Sequence, residues 1–263
     1  MSREFTRDYG LEVARGNVSG ITCINKFGRN IEVDAIADVW DGGQATSGVS
    51  LVWVAPTSRQ THAIASTSGL DDAGNVGATS IRIYGLPDWD TAEVNEDITM
   101  DGANPVTTSN KYVIIHRMHT LTSGGTSINA GIITATASTD STVTAQIRVG
   151  IGQTGMAIYG IPSTQNLYLS RLYANMNRAA GAGAGTGYVN VSLLVNREPS
   201  AQLTRFLTKH TFGLSLNGTS ALTIPYINRK KIEGPAIIKV QIDSGTANMD
   251  MSAGFDGYLI TES

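Results

Sequence analysis

The stretch that most constrains the fold is residues 131–149, which read GIITATASTDSTVTAQIRV. Apolar and polar side chains alternate in both halves of the stretch, and a strand with one buried face requires that period of two. The four residues between the halves, Ser138-Thr139-Asp140-Ser141, favour a tight turn. The stretch therefore predicts a β-hairpin, and none of its side chains suggests catalysis.

The same pattern of alternating apolar and polar residues, interrupted by turn residues, continues through most of the chain. Between residues 46 and 153 we find seven candidate strands, and a second series runs from residue 154 to residue 263. Turn signals separate the strands at intervals typical of β-sandwiches. We therefore predict an all-β protein with one sandwich in residues 46–153 and a second, jelly-roll-like sandwich in residues 154–263. The glycine-rich stretch 150–155 predicts the boundary between two distinct packing units.

Residues 1–45 differ from the rest because they mix charges of both signs with repeated glycines and little sustained periodicity. We interpret this segment as an extended N-terminal arm. Its apolar side chains lack a period that would bury them in a helix or a lone strand, so we expect a partner protein to cover them. The alternative is that the arm packs back on its own sandwiches. The residues expected to bind the partner are Phe5, Arg7, Tyr9, Leu11, Val13, Arg15, Ile21, Ile24, Lys26, Phe27 and Arg29.

Composition excludes several classes of partner and compartment. Charged residues make up 16% of the chain, whereas Thr and Ser supply 29 and 22 positions, which favours a neutral surface suited to lateral contacts between subunits. The net charge of −3 lacks the basic excess that binding to a phosphate backbone requires, so we expect no nucleic acid partner. The lone Cys23 cannot form an intramolecular disulfide. Without an apolar run of membrane-spanning length or a signal peptide, we expect no membrane contact and synthesis in a cytoplasm.

Each candidate motif for catalysis or cofactor binding lacks the surrounding sequence that such a site requires. Gly150, Gly152 and Gly155 spell GxGxxG, but a β-type run ended by a proline follows where a dinucleotide site needs a helix. His116 and His119 are three residues apart, which on a strand places them on opposite faces. The acidic pair Asp71-Asp72 lacks the spacing of a calcium loop and favours a solvated turn. We predict no enzyme activity, catalytic residue, cofactor or metal site, and leave Ca²⁺ binding by acidic loops open.

Several phrases of the sequence resemble virion structural proteins of tailed bacteriophages, of the type found in marine phages. The N-terminal phrases are DYGLEVARGNVSG, NKFGRN and VWDGG, and the later ones include IRIYGLPDWDTAEVNEDITMDG, GQTGMAIYGIP, GPAIIKV and SAGFDGYLI. The resemblance covers most of the chain. It implies a particle component of the head or tail, located in the virion after synthesis in the cytoplasm of a bacterial host.

Two functional hypotheses follow for this chain. In the first it is a structural subunit, such as a capsid decoration or stabilising protein or a head–tail associated protein. Its partners would be the major capsid protein or tail components, and analogy with phage particles predicts a homo-oligomer such as a trimer. In the second it is a tail module that binds a receptor or a glycan, with aromatic side chains such as Trp40, Trp53 and Trp89 as the sugar-stacking surface. The residues themselves favour a core role for these aromatics.

Overall fold

The computed structural model describes residues 9–41, 50–125, 128–178, 187–244 and 248–262. Strands account for 57% of the chain and helix for 2%, which confirms the predicted all-β class. Within the described ranges, no helix is long and apolar enough to cross a membrane. The chain begins with one short helix, α1 (Tyr9–Ala14), followed by a long strand, β1 (Ile21–Val33), and a two-residue strand, β2 (Ala37–Asp38).

A sandwich of two antiparallel sheets occupies the middle of the chain. Its strands are β3 (His62–Ser66), β4 (Ala78–Leu86), β5 (Val94–Thr99), β6 (Val106–Thr107), β7 (Ile114–Ser123), β8 (Ile133–Ala137) and β9 (Val143–Ile147). One sheet has the order β6-β3-β8-β9 and the other β5-β4-β7. The predicted hairpin is confirmed, because β8 pairs antiparallel with β9. Apolar side chains from both sheets, such as Ile64, Ile83 and Ile133, fill one core.

The chain from residue 158 onward forms the rest of a second sandwich. Its strands are β10 (Ile158–Ile161), β11 (Gln165–Arg178), β12 (Tyr188–Asn196), β13 (Leu207–Ser215), β14 (Ala221–Glu233), β15 (Ala236–Ser244) and β16 (Met249–Thr261). These strands build two sheets, β1-β16-β11-β14 and β10-β15-β12-β13. Side chains from both sheets, including Leu169, Val191, Ile238 and Phe255, form a core of their own.

The second sandwich is a jelly roll, and β1 is its first strand. When the eight strands β1 and β10 to β16 are counted in chain order, the sheets read 1-8-3-6 and 2-7-4-5, which is the jelly-roll arrangement of two Greek keys. The middle sandwich is therefore an insertion between the first and second strands of the jelly roll. The predicted series of arm, sandwich and sandwich is wrong in this respect, because residues 21–33 belong to the last unit.

The strand β1 replaces much of the predicted extended arm. It pairs antiparallel with β16 from Ile21↔Ile260 to Asn30↔Met251, and Val33 is buried in the jelly-roll core. The helix α1 precedes it and buries Val13, which is 3% exposed. Residues 21–41 thus pack on the chain's own sandwiches, as the alternative interpretation of the arm predicted. The region from residue 42 to residue 45 lies outside the described residues.

The inward positions of β1 explain why its periodicity is hard to recognise. Lys26, Gly28 and Asn30 alternate with exposed residues, but none of the three is apolar. A Cβ atom added to Gly28 would lie 2.2 Å from the carbonyl oxygen of Gly155, so only glycine permits this approach. Asn30 donates from Nδ2 to the carbonyl oxygen of Asp38 at 2.7 Å. Gly28 and Asn30 thus meet the chain that connects the two units, and Lys26 meets His116 of the inserted sandwich, instead of a hydrophobic core.

The two connections between the units run side by side, and we call this region the seam (residues 38–41 and 154–157). The amide of Ala157 donates to the carbonyl of Val39 at 2.7 Å, and Val39 and Ala157 each bond to Val240 of β15. Asp38 accepts from the amide of Trp53, at the start of the inserted sandwich, at 2.8 Å and from Lys239 Nζ of β15 at 2.6 Å. The seam therefore fixes the inserted sandwich to the jelly roll by hydrogen bonds, and Ile158 and Ile237 of the jelly roll also pack into the core of the inserted sandwich.

We predict that a chain beginning at residue 34 does not form a stable jelly roll. Without β1, the strand β16 would lose its neighbour on one side, and the jelly-roll core beneath Val33 would be exposed to solvent. Circular dichroism and thermal unfolding should show a loss of cooperative melting. The matched control begins at residue 9, which leaves every contact described here in place, and it should melt as the full chain does. If the chain beginning at residue 34 melts cooperatively near the wild-type temperature, β1 is a dispensable arm.

Candidate functional site

The structure divides the predicted partner-binding residues into buried and exposed groups. Phe5 and Arg7 lie outside the described residues, and Tyr9 begins α1. Leu11 is 53% exposed, whereas Val13 is buried. Arg15 forms an ion pair with Glu12 at 3.3 Å. The helix thus presents Leu11, but not Val13, to any partner.

Along β1, buried and exposed members of the predicted set alternate because successive side chains of a strand point to opposite faces. Ile24 is half-buried and packs against the jelly-roll core, Ile21 is also half-buried, and Lys26 is buried. Phe27 is 40% exposed on the opposite face, where Arg29 pairs with Asp250 at 2.9 Å. Val13 and Lys26 are therefore removed from any partner surface, and docking through the exposed members of the set stays a prediction.

Lys26 instead helps to build a recess between the two units, which we call the seam recess. It has a volume of about 320 Å³. One wall is formed by consecutive residues of β1 from Thr22 to Phe27, and the opposite wall includes Tyr84, Glu93, His116 and Arg117 of the inserted sandwich. Tyr159 of β10 closes the inner end. The recess exists because a jelly-roll strand and an inserted sandwich lie against each other.

Hydrogen bonds link the ionisable groups of the seam recess. Lys26 Nζ donates to the carbonyl oxygen of His116, across the boundary between the units. The His116 Nε2 atom lies 2.5 Å from Glu93 Oε2, and the Tyr159 hydroxyl donates to the same oxygen at 3.4 Å. The His116 ring also packs against the Tyr159 ring, with centroids 4.3 Å apart. One carboxylate is thus held by groups from two units.

Burial controls the protonation of this cluster. Desolvation lowers the pKa of Lys26 to about 7, with Glu93 opposing the shift and Arg117 adding to it. Desolvation also lowers the pKa of His116, although Glu93 opposes it. Burial alone would raise the pKa of Glu93, but contacts with His116 and then Lys26 outweigh burial, so its pKa lies below the ordinary value. The site therefore holds an ionised Glu93 beside a lysine that titrates near neutral pH.

The candidate metal and calcium positions have structural roles. Asp71, expected in a solvated turn, is fully buried and accepts from the amides of Ala78, Ala130 and Gly131 and from the Ser66 hydroxyl. His116 binds Glu93, whereas His119 stacks on Tyr84 with ring centroids 5.6 Å apart. Among the described residues, no group of three or more His, Cys, Asp or Glu side chains could hold a metal ion.

Sequence reasoning noted His116 only as half of a metal pair and missed Glu93, Arg117 and Tyr159 as parts of one site. These residues are on β7, on β10 and just before β5, so their proximity depends on the packing of the two units. A lysine that is buried on a strand requires a polar partner. The burial of Lys26, however, is known only from the structure.

Comparisons with known proteins identify no family for this chain. No protein-family model matches it, and no curated protein matches it. Among solved structures, that of infectious bursal disease virus, Gt strain, aligns over 91% of this chain and 71% of the other at 10% identity. The TM-score of 0.19 is too low to indicate a shared fold.

We predict that Lys26 makes the stability of the protein depend on pH above neutrality. Below about pH 7 the lysine is charged in both the folded and the unfolded chain. Between pH 7 and the ordinary pKa of 10.5, only the unfolded chain keeps the proton, so the folded state gains stability as pH rises. Relative to Lys26→Met, the free energy of unfolding of wild type should rise by up to about 1.4 kcal/mol per pH unit.

Urea unfolding of both proteins at several pH values between about 7 and 9 measures this difference. Parallel pH profiles for wild type and Lys26→Met would show that the folded protein keeps the Lys26 proton, which contradicts the prediction.

Proposed function

We propose that this protein is a structural subunit of a tailed-phage particle and acts by protein–protein assembly. Capsid decoration or stabilisation, or association with the head–tail region, are the roles that the resemblance of the sequence supports. Jelly rolls are common in viral capsids, but lectins and cupins use them too. The fold by itself therefore does not decide the function, and the proposal rests on a feature of the surface.

The observation that carries the proposal is an apolar knob on the free edge of a jelly-roll sheet. In the pairing of β14 with β11, Pro225 lies opposite Arg171 and Lys230 opposite Leu169, so four residues, 226–229, bulge outward. Ile227 in this knob is 91% exposed. Single exposed aliphatic side chains are common on protein surfaces, so Ile227 supports the proposal through its place on a bulge of a free strand edge and not through its exposure alone.

Contacts of Tyr226 with neighbouring residues anchor the knob to the jelly roll. Tyr226 is 9% exposed and packs into the jelly-roll core, and Arg229 Nη1 donates to its carbonyl oxygen at 3.4 Å. Lys230 Nζ lies 5.8 Å from the centre of the Tyr226 ring. These contacts anchor the backbone beside Ile227, which limits the backbone entropy lost on binding and so favours assembly.

The position and charge of the knob indicate the chemistry of its partner. In the described part of the chain, β14 is the last strand of its sheet, so its outer edge is available to another subunit. Arg229 and Lys230 flank Ile227 with positive charge. A surface with a small apolar pocket bordered by carboxylates would therefore complement the knob.

A receptor- or glycan-binding tail module is the second hypothesis, and the tryptophans do not favour it. Trp40 is 1% exposed and Trp53 is 2% exposed, both within the core of the inserted sandwich. Neither can stack on a sugar. Trp89 also packs against that core. Their positions agree with the core role that the sequence favoured.

We predict that Ile227→Asp abolishes incorporation into particles while leaving the fold intact. A charge placed in a desolvated contact costs at least about 2 kcal/mol of binding, and the exposed Ile227 contributes little to folding. Thr223→Asp is the matched control, because it adds the same charge at an exposed position of the regularly paired part of β14. Both variants should melt like wild type.

Quantitative mass spectrometry of particles purified from the phage that encodes the chain measures copies per particle. Wild type and Thr223→Asp should be present in equal and fixed numbers, and Ile227→Asp should be lost. Absence of the wild-type protein from the particles would refute the structural role. Equal incorporation of all three proteins would show that the knob is not the contact surface.

A further inference from the structure

We propose that the seam recess binds a small anion that carries a carboxylate or phosphate group. Lys26 from the jelly roll and Arg117 from the inserted sandwich both line it. Among the described residues of its lining, Glu93 is the single carboxylate. When Lys26 is protonated, the walls carry one net positive charge, in a space large enough for a small molecule.

The negative charge of Glu93 is already engaged. Its Oε2 atom accepts from His116 at 2.5 Å and from Tyr159 at 3.4 Å. The two contacts hold the carboxylate against the buried rings of His116 and Tyr159, while the Glu93 side chain itself stays 35% exposed. Glu93 thus partly compensates Lys26 by its field, but the described contacts leave Arg117 without a carboxylate.

The two cations offer different kinds of contact to an anion. Arg117 is exposed at the rim, where its guanidinium lies 5.4 Å from the centre of the Tyr84 ring. A guanidinium that stacks on an aromatic face keeps its N–H groups free for a planar carboxylate or a phosphate. Lys26 is 7% exposed and donates to the His116 carbonyl, which leaves two further N–H bonds on the ammonium group. The lining also includes the hydroxyl and amide groups of Thr22, Asn25, Gln153 and Thr154.

The charged and titratable groups around Lys26 determine how binding depends on pH. They are the buried His116 and Tyr159, the partly exposed Glu93, and Arg117, Tyr84 and Cys23. Of these, Arg117 opposes the protonation of Lys26 and Glu93 favours it. An added anion favours the charged lysine further, so binding takes up a proton when the pH is above about 7. The affinity should accordingly rise as the pH is lowered from about 8.5 to 7.

The test uses the full chain, with inorganic phosphate and acetate as separate probes. Isothermal titration calorimetry at about pH 8, in two buffers of different ionisation enthalpy, measures both the affinity and the number of protons taken up. We expect one saturable site for at least one probe, with proton uptake. Arg117→Gln, an exposed substitution that does not endanger the fold, should weaken that binding at least about tenfold. Lys26→Met should remove the proton uptake.

Arg82→Gln is the matched control for loss of a positive charge on the same sheet. Arg82 is engaged by Asp97 at 2.6 and 2.7 Å and is outside the recess lining, so its substitution should leave the affinity unchanged. Failure of both probes to bind saturably would overturn the proposal. Binding that Arg117→Gln and Arg82→Gln weaken equally would overturn it too, because the effect would then come from overall charge.

Discussion

The pairing of β1 with β16 is the interaction on which the rest of the structure depends. It supplies the first strand of a jelly roll whose other seven strands begin at residue 158. Because those parts of the chain are separated by a whole sandwich, the inserted unit must leave and rejoin the jelly roll at neighbouring positions. The bonds of Val39 and Ala157 to each other and to Val240 show how the two connections meet that requirement.

This arrangement also explains the polar character of the seam. Backbone groups of two connections are buried there and need hydrogen-bonding partners. Asn30 Oδ1 accepts hydrogen bonds from the backbone amides of Trp40 and Asp41. Nearby, Lys26 Nζ donates a hydrogen bond to the carbonyl oxygen of His116. Lys26 is desolvated because β1 lies against β7 of the inserted sandwich, and the same contact between the units creates a charged recess beside the seam. In this molecule, the site and the joint between the units are one feature.

Regular strands could be predicted from the sequence, and the seam could not. The alternation in residues 131–149 located β8 and β9. In β8 it corresponds to buried residues alternating with half-buried ones, whereas in β9 the polar Thr144 and Gln146 are buried as well. In β1, by contrast, the inward positions hold lysine, glycine and asparagine, since they face a strand of the inserted sandwich and the connecting chain. The pattern that indicates a strand is lost at the place where two units join. The proximity of Glu93, His116 and Tyr159 is likewise set by tertiary packing, so local patterns carry no signal for it.

The central claim is that β1 and the seam make the jelly roll and the inserted sandwich one cooperative unit. Differential scanning calorimetry of the full chain tests it most directly. One transition, with equal calorimetric and van't Hoff enthalpies, is the predicted result, because neither unit can unfold without breaking the hydrogen bonds of the seam. Two resolved transitions, or a calorimetric enthalpy well above the van't Hoff value, would show that the sandwiches unfold independently and would contradict the claim.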